Sequence, residues 1–148
     1  MQPSKPSVLV IDASVILWAV LPGPVDTLPL FESWQDAFLL APGIWLPEAI
    51  STIRYLVYGG NLNKDEARQA VEDVFSLGVE TSPADIFLAQ RALTWAERLQ
   101  QRRAYDAFYV ALADQLQASF WSADKRLVNG LRALGVSWAH WVGEMDGE

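Results

Sequence analysis

Short, unbroken apolar runs alternate along the chain with longer stretches in which apolar residues recur at helical spacing. Val8-Leu-Val-Ile11 is continuous and largely β-branched, the pattern of a strand buried on both faces of a parallel sheet, and it stops at Asp12. Ser14 to Leu21 predicts a first helix with Ser14 near its N-cap, closed by Pro22-Gly23-Pro24, and Leu28 to Gln35 a second. Phe38 to Ala41 reads as the next strand. Pro47 is expected at the first position of a helix running to about Tyr58, with Glu48 in its first turn and Gly59-Gly60 at its end. Asn63 followed by Glu66 predicts a capping box before a helix that keeps Ala67, Ala70, Val71, Val74 and Phe75 in period and ends at Gly78. A short strand over Val79 to Thr81, a helix from Pro83 to about Gln100 and another from Ala104 to Gln117 follow. Ala118 to Trp121 returns to strand, Asp124 to Leu134 is a helix closed by Gly135, and Val136 to Trp138, extending toward Val142, is the last strand.

Strand and helix in alternation, with strands too uniformly apolar to show one face to water, predict an α/β sandwich of three layers: a mostly parallel sheet between two helical layers. The 148 residues suit one domain, its core spanning about residues 8–142, with loose ends expected at residues 1–6 and 143–148. Half of the residues are apolar and seven are Trp, which excludes a disordered chain. There is no Cys, so disulfides, thiolate metal sites and Cys nucleophiles are excluded, and a reducing cytoplasm is the expected location. The N-terminal residues lack the charged start of a secretory signal, and Asp12, Glu48 and Asp106 interrupt the most apolar segments, so no membrane span is expected.

Two strands end in the same way: Val8-Leu-Val-Ile11 runs into Asp12, and Ser119-Phe-Trp121 into Ser122-Ala-Asp124. Ligand crevices of open α/β sheets lie beyond the carboxyl ends of strands, so Asp12 and Asp124 stand where a site is expected. Asp106 lies in a helix that is apolar almost all round, and Glu48 has no basic residue within five positions on either side. Any one of these acids can be explained as a helix cap or a favourable charge at a helix N-terminus, and Asp124 as a partner of Lys125 or Arg126. Together they are harder to accommodate, because buried carboxylates cost several kcal/mol each unless paired or metal-bound, roughly speaking, and no matching cations are visible. A set of oxygen donors without His or Cys suits a hard octahedral ion, Mg²⁺ or Mn²⁺ rather than Zn²⁺.

These residues, in this order, resemble the PIN domain, and especially VapC-type toxins. The resemblance spans residues 8–138 and is carried by the strand before Asp12-Ala-Ser14, by Pro47-Glu48, by Tyr105-Asp106-Ala-Phe-Tyr-Val-Ala-Leu-Ala113, its most specific segment, and by Ser122-Ala-Asp124. It implies a PIN-like α/β/α fold in which Asp12, Glu48, Asp106 and Asp124 bind one or two Mg²⁺ or Mn²⁺ ions and hydrolyse RNA phosphodiester bonds endonucleolytically. It also implies Ser14 and Ser122 as supports of the acids, a cognate antitoxin that packs beside the early helices, and a homodimer. Ser51 stands where many relatives carry Asn three residues after the Glu, a departure in which a polar Ser is expected to take over the same supporting role. Trp18, Leu28, Phe31 and Trp34 are a candidate lining for a groove that would take the antitoxin.

A net charge of −7 stands against nucleic-acid binding by bulk electrostatics; two divalent ions would bring it to −3, and the local field matters more than the sum. Arg91, Arg98 and Arg102 recur at helical spacing and, with Arg103, Lys125 and Arg126, are candidate phosphate contacts, a solvated face paired with acids being the simpler account. The sole His140 is not expected to be catalytic. Three other functions remain open: a PIN nuclease that processes RNA without an antitoxin, a non-catalytic PIN-fold binding module, and a phospho-acceptor domain built on Asp12, which would leave Asp106 unexplained.

Overall fold

In the computed structural model, residues 7–147 are described, with side chains through Glu144. The expected loose end at residues 1–6, and Glu148, lie outside the described residues. Five strands form one sheet in the order β3-β2-β1-β4-β5: β1 (Val8–Ile11), β2 (Phe38–Pro42), β3 (Glu80–Ser82), β4 (Ser119–Ser122) and β5 (Ala139–Trp141). Every pairing is parallel, with Val10 opposite both Leu40 and Phe120. The α/β class with a parallel sheet is thus as the apolar runs predict.

Strand order explains where the site falls. From β1 the chain steps outward through β2 to β3, then crosses back to β4 and continues to β5. The direction reverses between β1 and β4, so the crevice beyond the carboxyl ends of these two strands is the switch point of the sheet. Right-handed crossovers send α1 (Ala13–Trp18), α2 (Leu28–Ser33), α3 (Trp45–Tyr58) and α4 (Lys64–Ser76) to one face, and α5 (Ile86–Arg98), α6 (Tyr105–Leu116) and α7 (Lys125–Ala133) to the other. In keeping with this, α6 packs on the central strands β2, β1 and β4 with α5 against it, and α3 lies between α1 and α4. The sheet and α6 supply the centre of the core, where Val10, Ile11, Phe120, Val110 and Ala111 are wholly buried.

Helix starts differ from expectation for local reasons. Asp12, not Ser14, is the N-cap of α1, because its side chain accepts from the Val15 N–H at 3.2 Å. Helix α3 begins at Trp45, which puts Pro47 at the third helical position; the N–H it lacks is still one of the first four that have no partner inside a helix. Helix α5 begins at Ile86 rather than Pro83, since Asp85 accepts from Leu88 N at 2.8 Å and outweighs the proline as a start signal. The expected capping box is present, Asn63 and Glu66 each bonding the other's backbone N–H.

The last strand is Ala139–Trp141, later than expected, because Gly135 sits at φ +87° and the Val136 N–H is spent on Leu131 O at 3.1 Å, closing α7. After β5, Val142–Gly147 is a 3₁₀ turn, and Arg132 of α7 forms an ion pair with Glu144.

Candidate functional site

Each of the four sequence-selected acids stands at the start of a helix. Asp12 and Asp124 are the N-caps of α1 and α7, Glu48 is in the first turn of α3, and Asp106 is in the first turn of α6. The helix N-termini favour negative charge at these points. Capping is therefore part of what Asp12 and Asp124 do: Asp124 Oδ1 accepts from Leu127 N at 3.1 Å and is not ion-paired with Lys125 or Arg126.

The acids act on one another electrostatically, and Asp106 stands at the centre of that coupling. Burial raises Asp12 to about 6 from 3.8; its bonds with Ser122, Ser14 and the Val15 N–H resist the rise, and the charge of Asp106 adds to it. Glu48 is raised first by burial, an effect opposed by Tyr109 and reinforced by Asp106 and Asp12. Asp106 is raised by burial and by Asp124, with Gln101 opposing. None of the four is in an ion pair: those among the described residues are Arg91–Asp114 and Arg132–Glu144.

A ring of polar side chains fixes the acids. Ser14 Oγ donates to Asp12 Oδ1 and accepts from Ala123 N at 3.2 Å, so one hydroxyl ties the end of β1 to the residues after β4. Ser122 is fully buried and its Oγ accepts from Asp124 N at 2.9 Å. Ser51 is exposed and has no hydrogen bond to Glu48 among the described residues; the partner of that carboxylate is Tyr109, whose hydroxyl donates to Glu48 Oε1 at 3.0 Å. Gln101 Nε2 donates to Asp106 Oδ2 at 3.3 Å. Sequence reasoning missed both Tyr109 and Gln101. The signal for Tyr109 was available, since a tyrosine inside an apolar helix must find a partner for its hydroxyl; Gln101 lies in a loop and carries no comparable mark.

Oxygen-only donors at the mouth of a sheet, mutually repelling and in no ion pair among the described residues, are chemically suited to a hard divalent ion. Yet among the described residues no three of His, Asp or Glu are gathered closely enough to form a ligating cluster by themselves. This spacing is compatible with Mg²⁺ in particular, which commonly takes one or two carboxylates and completes its shell with water and phosphate oxygens.

Clefts flank the acids. One of about 490 Å³ is lined by Gln101, Asp124 and Arg126 among others; another of about 470 Å³ includes Glu48, Ser51, Arg103 and Tyr105. Arg103 and Arg126 thus stand beside acids, whereas Arg102 lines neither cleft and the Lys125 ammonium lies 4.7 Å from the centre of the Trp141 ring. A larger cleft of about 570 Å³ holds Arg91 and Arg98 but none of the four acids; there Arg91 pairs with Asp114 at 3.3 Å and Arg98 lies over Trp95 at 4.2 Å. Of the residues considered for an antitoxin groove, Leu28 is exposed, Trp18 and Trp34 are half-buried and Phe31 is buried, with Trp34 packing edge-on against Phe31 and Trp121. His140 stacks on the other side of this aromatic series, against Trp121.

No curated protein sequence matches the chain. Solved structures with the same fold include PAE2754 from Pyrobaculum aerophilum, at TM-score 0.70 and 15% identity over 94% of this chain and 86% of that one. FitAcB from Neisseria gonorrhoeae follows at TM-score 0.64 and 19% identity, covering 90% of this chain and 97% of that chain. VapC20 of Mycobacterium tuberculosis, a Sarcin-Ricin loop cleaving toxin, has TM-score 0.56 and 14% identity over 78% of this chain and 87% of that chain. At such identities these likenesses speak to the fold. The sequence profile of the PIN domain matches residues 10–140, a span that runs from the central strand through all four acids to the last strand, and the chain belongs to the PIN domain family.

Proposed function

We propose that this protein is a divalent-metal-dependent endoribonuclease and the toxin of a toxin–antitoxin pair. The observation that carries the proposal is the placement of Asp12, Glu48, Asp106 and Asp124 at four helix starts, with Asp12 and Asp124 beyond the ends of the adjacent strands β1 and β4 and none of the four in an ion pair among the described residues. Membership of the PIN family supports nuclease activity, and the likeness in fold to VapC20, a Sarcin-Ricin loop cleaving toxin, is in keeping with the toxin reading.

Asp12, Glu48, Asp106 and Asp124 would hold one or two Mg²⁺ or Mn²⁺ ions. A bound ion there supplies Lewis acidity, polarising a phosphoryl oxygen and lowering the pKa of water. The chain's own residues do the rest. Tyr109 and Gln101 orient the Glu48 and Asp106 carboxylates. Ser14 holds Asp12 against the loop that carries Asp124, fixing the spacing of the two strand ends. Arg103 and Arg126, on either side of the acids, are placed to contact backbone phosphates on both flanks of the cut.

An antitoxin protein and a homodimer are part of the same reading; the exposed Tyr55, Tyr58, Ile86, Phe87 and Leu93 of α3 and α5 offer apolar surface for protein contacts. The test is cleavage of RNA by the purified chain with Mn²⁺ or Mg²⁺ against the same reaction in EDTA. Internal cuts that appear only with the ion support the proposal, and cleavage indifferent to EDTA refutes it.

A further inference from the structure

The cleft of about 570 Å³ between α5 and the end of α6 holds none of the four acids. Asp114, on its α6 wall, lies about 12 Å along that helix from Asp106. The α5 wall is one stripe at helical spacing: Phe87, Arg91, Trp95 and Arg98. Phe87 is 66% exposed. The Arg98 guanidinium lies over the buried Trp95 ring at 4.2 Å and is in no ion pair among the described residues. Asp114 Oδ2 accepts from Arg91 at 3.3 Å and from the Trp95 indole N–H at 3.0 Å. One carboxylate therefore steadies both the first cation and the ring beneath the second. Two guanidiniums against one carboxylate leave this cleft locally positive on a chain of net charge −7.

We propose that the cleft binds a free nucleoside triphosphate, with the base on Phe87 and the phosphate chain running along α5 to Arg91 and Arg98. The inference is independent of the nuclease reading. A volume of about 570 Å³ is that of a cleft for a small organic ligand, which favours a free nucleotide over a strand of RNA. Spacing chooses among the nucleotides. Along the axis of α5, Arg91 and Arg98 are about 10 Å apart and Phe87 and Arg98 about 16 Å. A monophosphate with its base on Phe87 meets one cation, whereas an extended triphosphate reaches both. Guanidinium groups match phosphate oxygens in pairs, and one already laid flat on an indole loses less freedom when it binds.

The test is calorimetric titration of the full chain with ATP, ADP, AMP and inorganic tripolyphosphate, in EDTA so that no metal at the acids recruits phosphate. The expected result is one ATP per chain, with affinity falling from ATP to AMP and weakening as salt is raised. Arg98→Gln should weaken ATP by roughly 10- to 100-fold, as for a lost hydrogen bond to a charged group, and leave AMP nearly unchanged. Phe87→Ala should weaken ATP by roughly 5- to 100-fold and leave tripolyphosphate unchanged. Both side chains are exposed, and thermal melting checks that the variants are folded. Asp106→Asn should bind ATP like the wild type, whether or not the protein cuts RNA; a loss there would place the nucleotide at the acids and overturn the proposal. ATP binding that is absent at millimolar concentration, no tighter than that of AMP, or the same in Arg98→Gln would also overturn it and leave Phe87 to a protein contact. A short oligoribonucleotide that binds through Phe87 and Arg98 more tightly than ATP would overturn the free nucleotide in favour of an RNA strand.

Discussion

The Tyr109 hydroxyl donates to Glu48 Oε1 at 3.0 Å, joining the buried face of α6 to the start of α3 across 61 residues of sequence. The phenol is buried, and burial, followed by the charges of Glu48 and Asp12, raises its pKa, so it remains a donor at any ordinary pH. Its bond lowers the pKa of Glu48 against the effects of burial and of the neighbouring acids.

Tyr109→Phe keeps the ring in the core and deletes this one donor. Partners that orient ligating carboxylates are commonly worth about 10- to 100-fold in metal affinity. The expected outcome is Mn²⁺ binding weakened by that order in calorimetry, with the melting temperature shifted by no more than about 1 kcal/mol of stability implies. Unchanged Mn²⁺ affinity would mean that Tyr109 only packs.

Ser14→Ala removes a hydroxyl that bonds both Asp12 and the Ala123 N–H. Hydrogen bonds to charged groups contribute about 1.5–3 kcal/mol, so denaturant melts should show a loss in that range. Metal affinity should fall with it, because the spacing between the ends of β1 and β4 is no longer fixed.

Asn63→Ala serves as the counterpart. It breaks the capping box of α4, away from the acids, and should cost about 1 kcal/mol of stability while Mn²⁺ binding and cleavage stay at wild-type levels. A concomitant loss of activity would show that stability and function are not separable in this fold.

Acidity should act on the metal-free protein in an unusual direction. Asp12 in the folded chain holds its proton to about pH 6, against an ordinary value of 3.8. The folded state therefore binds more protons than the unfolded state between those limits, and the stability due to this group falls as pH rises from about 4 to about 6, by about 3 kcal/mol at most. Glu48 and Asp106 are shifted in the same direction. Denaturant midpoints of the metal-free chain measured across this range should show the decline, and Asp12→Asn, which retains a capping side chain, should flatten it. With Mn²⁺ present the slope should reverse, since metal binds the ionised carboxylates.

Much of this was legible in the residues. The parallel sheet follows from strands such as Val8–Ile11 that are apolar without alternation, and the location of Asp12 and Asp124 follows from strands that end in acids. Asp106 was identifiable as a charge inside an apolar helix. Helix starts were less legible wherever two signals competed, as when Asp85 prevailed over Pro83, because a cap bond formed in place outweighs a preference for φ. Tyr109 and Gln101 were missed because their partners are set by tertiary packing that brings α3, α6 and the loop before α6 together. The arginines divided on the same grounds: Arg91 of α5 pairs with Asp114 of α6 and Arg98 lies over Trp95 of its own helix, rather than beside the four site acids.

The most direct test of the account compares the wild type with Asp106→Asn, which preserves shape and removes the charge at the centre of the coupled acids. Mn²⁺ binding by calorimetry and Mn²⁺-dependent RNA cleavage should be read on the same preparations, with circular dichroism confirming the fold. The account predicts a folded variant with weakened Mn²⁺ binding and cleavage reduced on the order of 100-fold or more, as for loss of a group that stabilises transition-state charge. A folded variant that binds Mn²⁺ and cuts RNA like the wild type would contradict it.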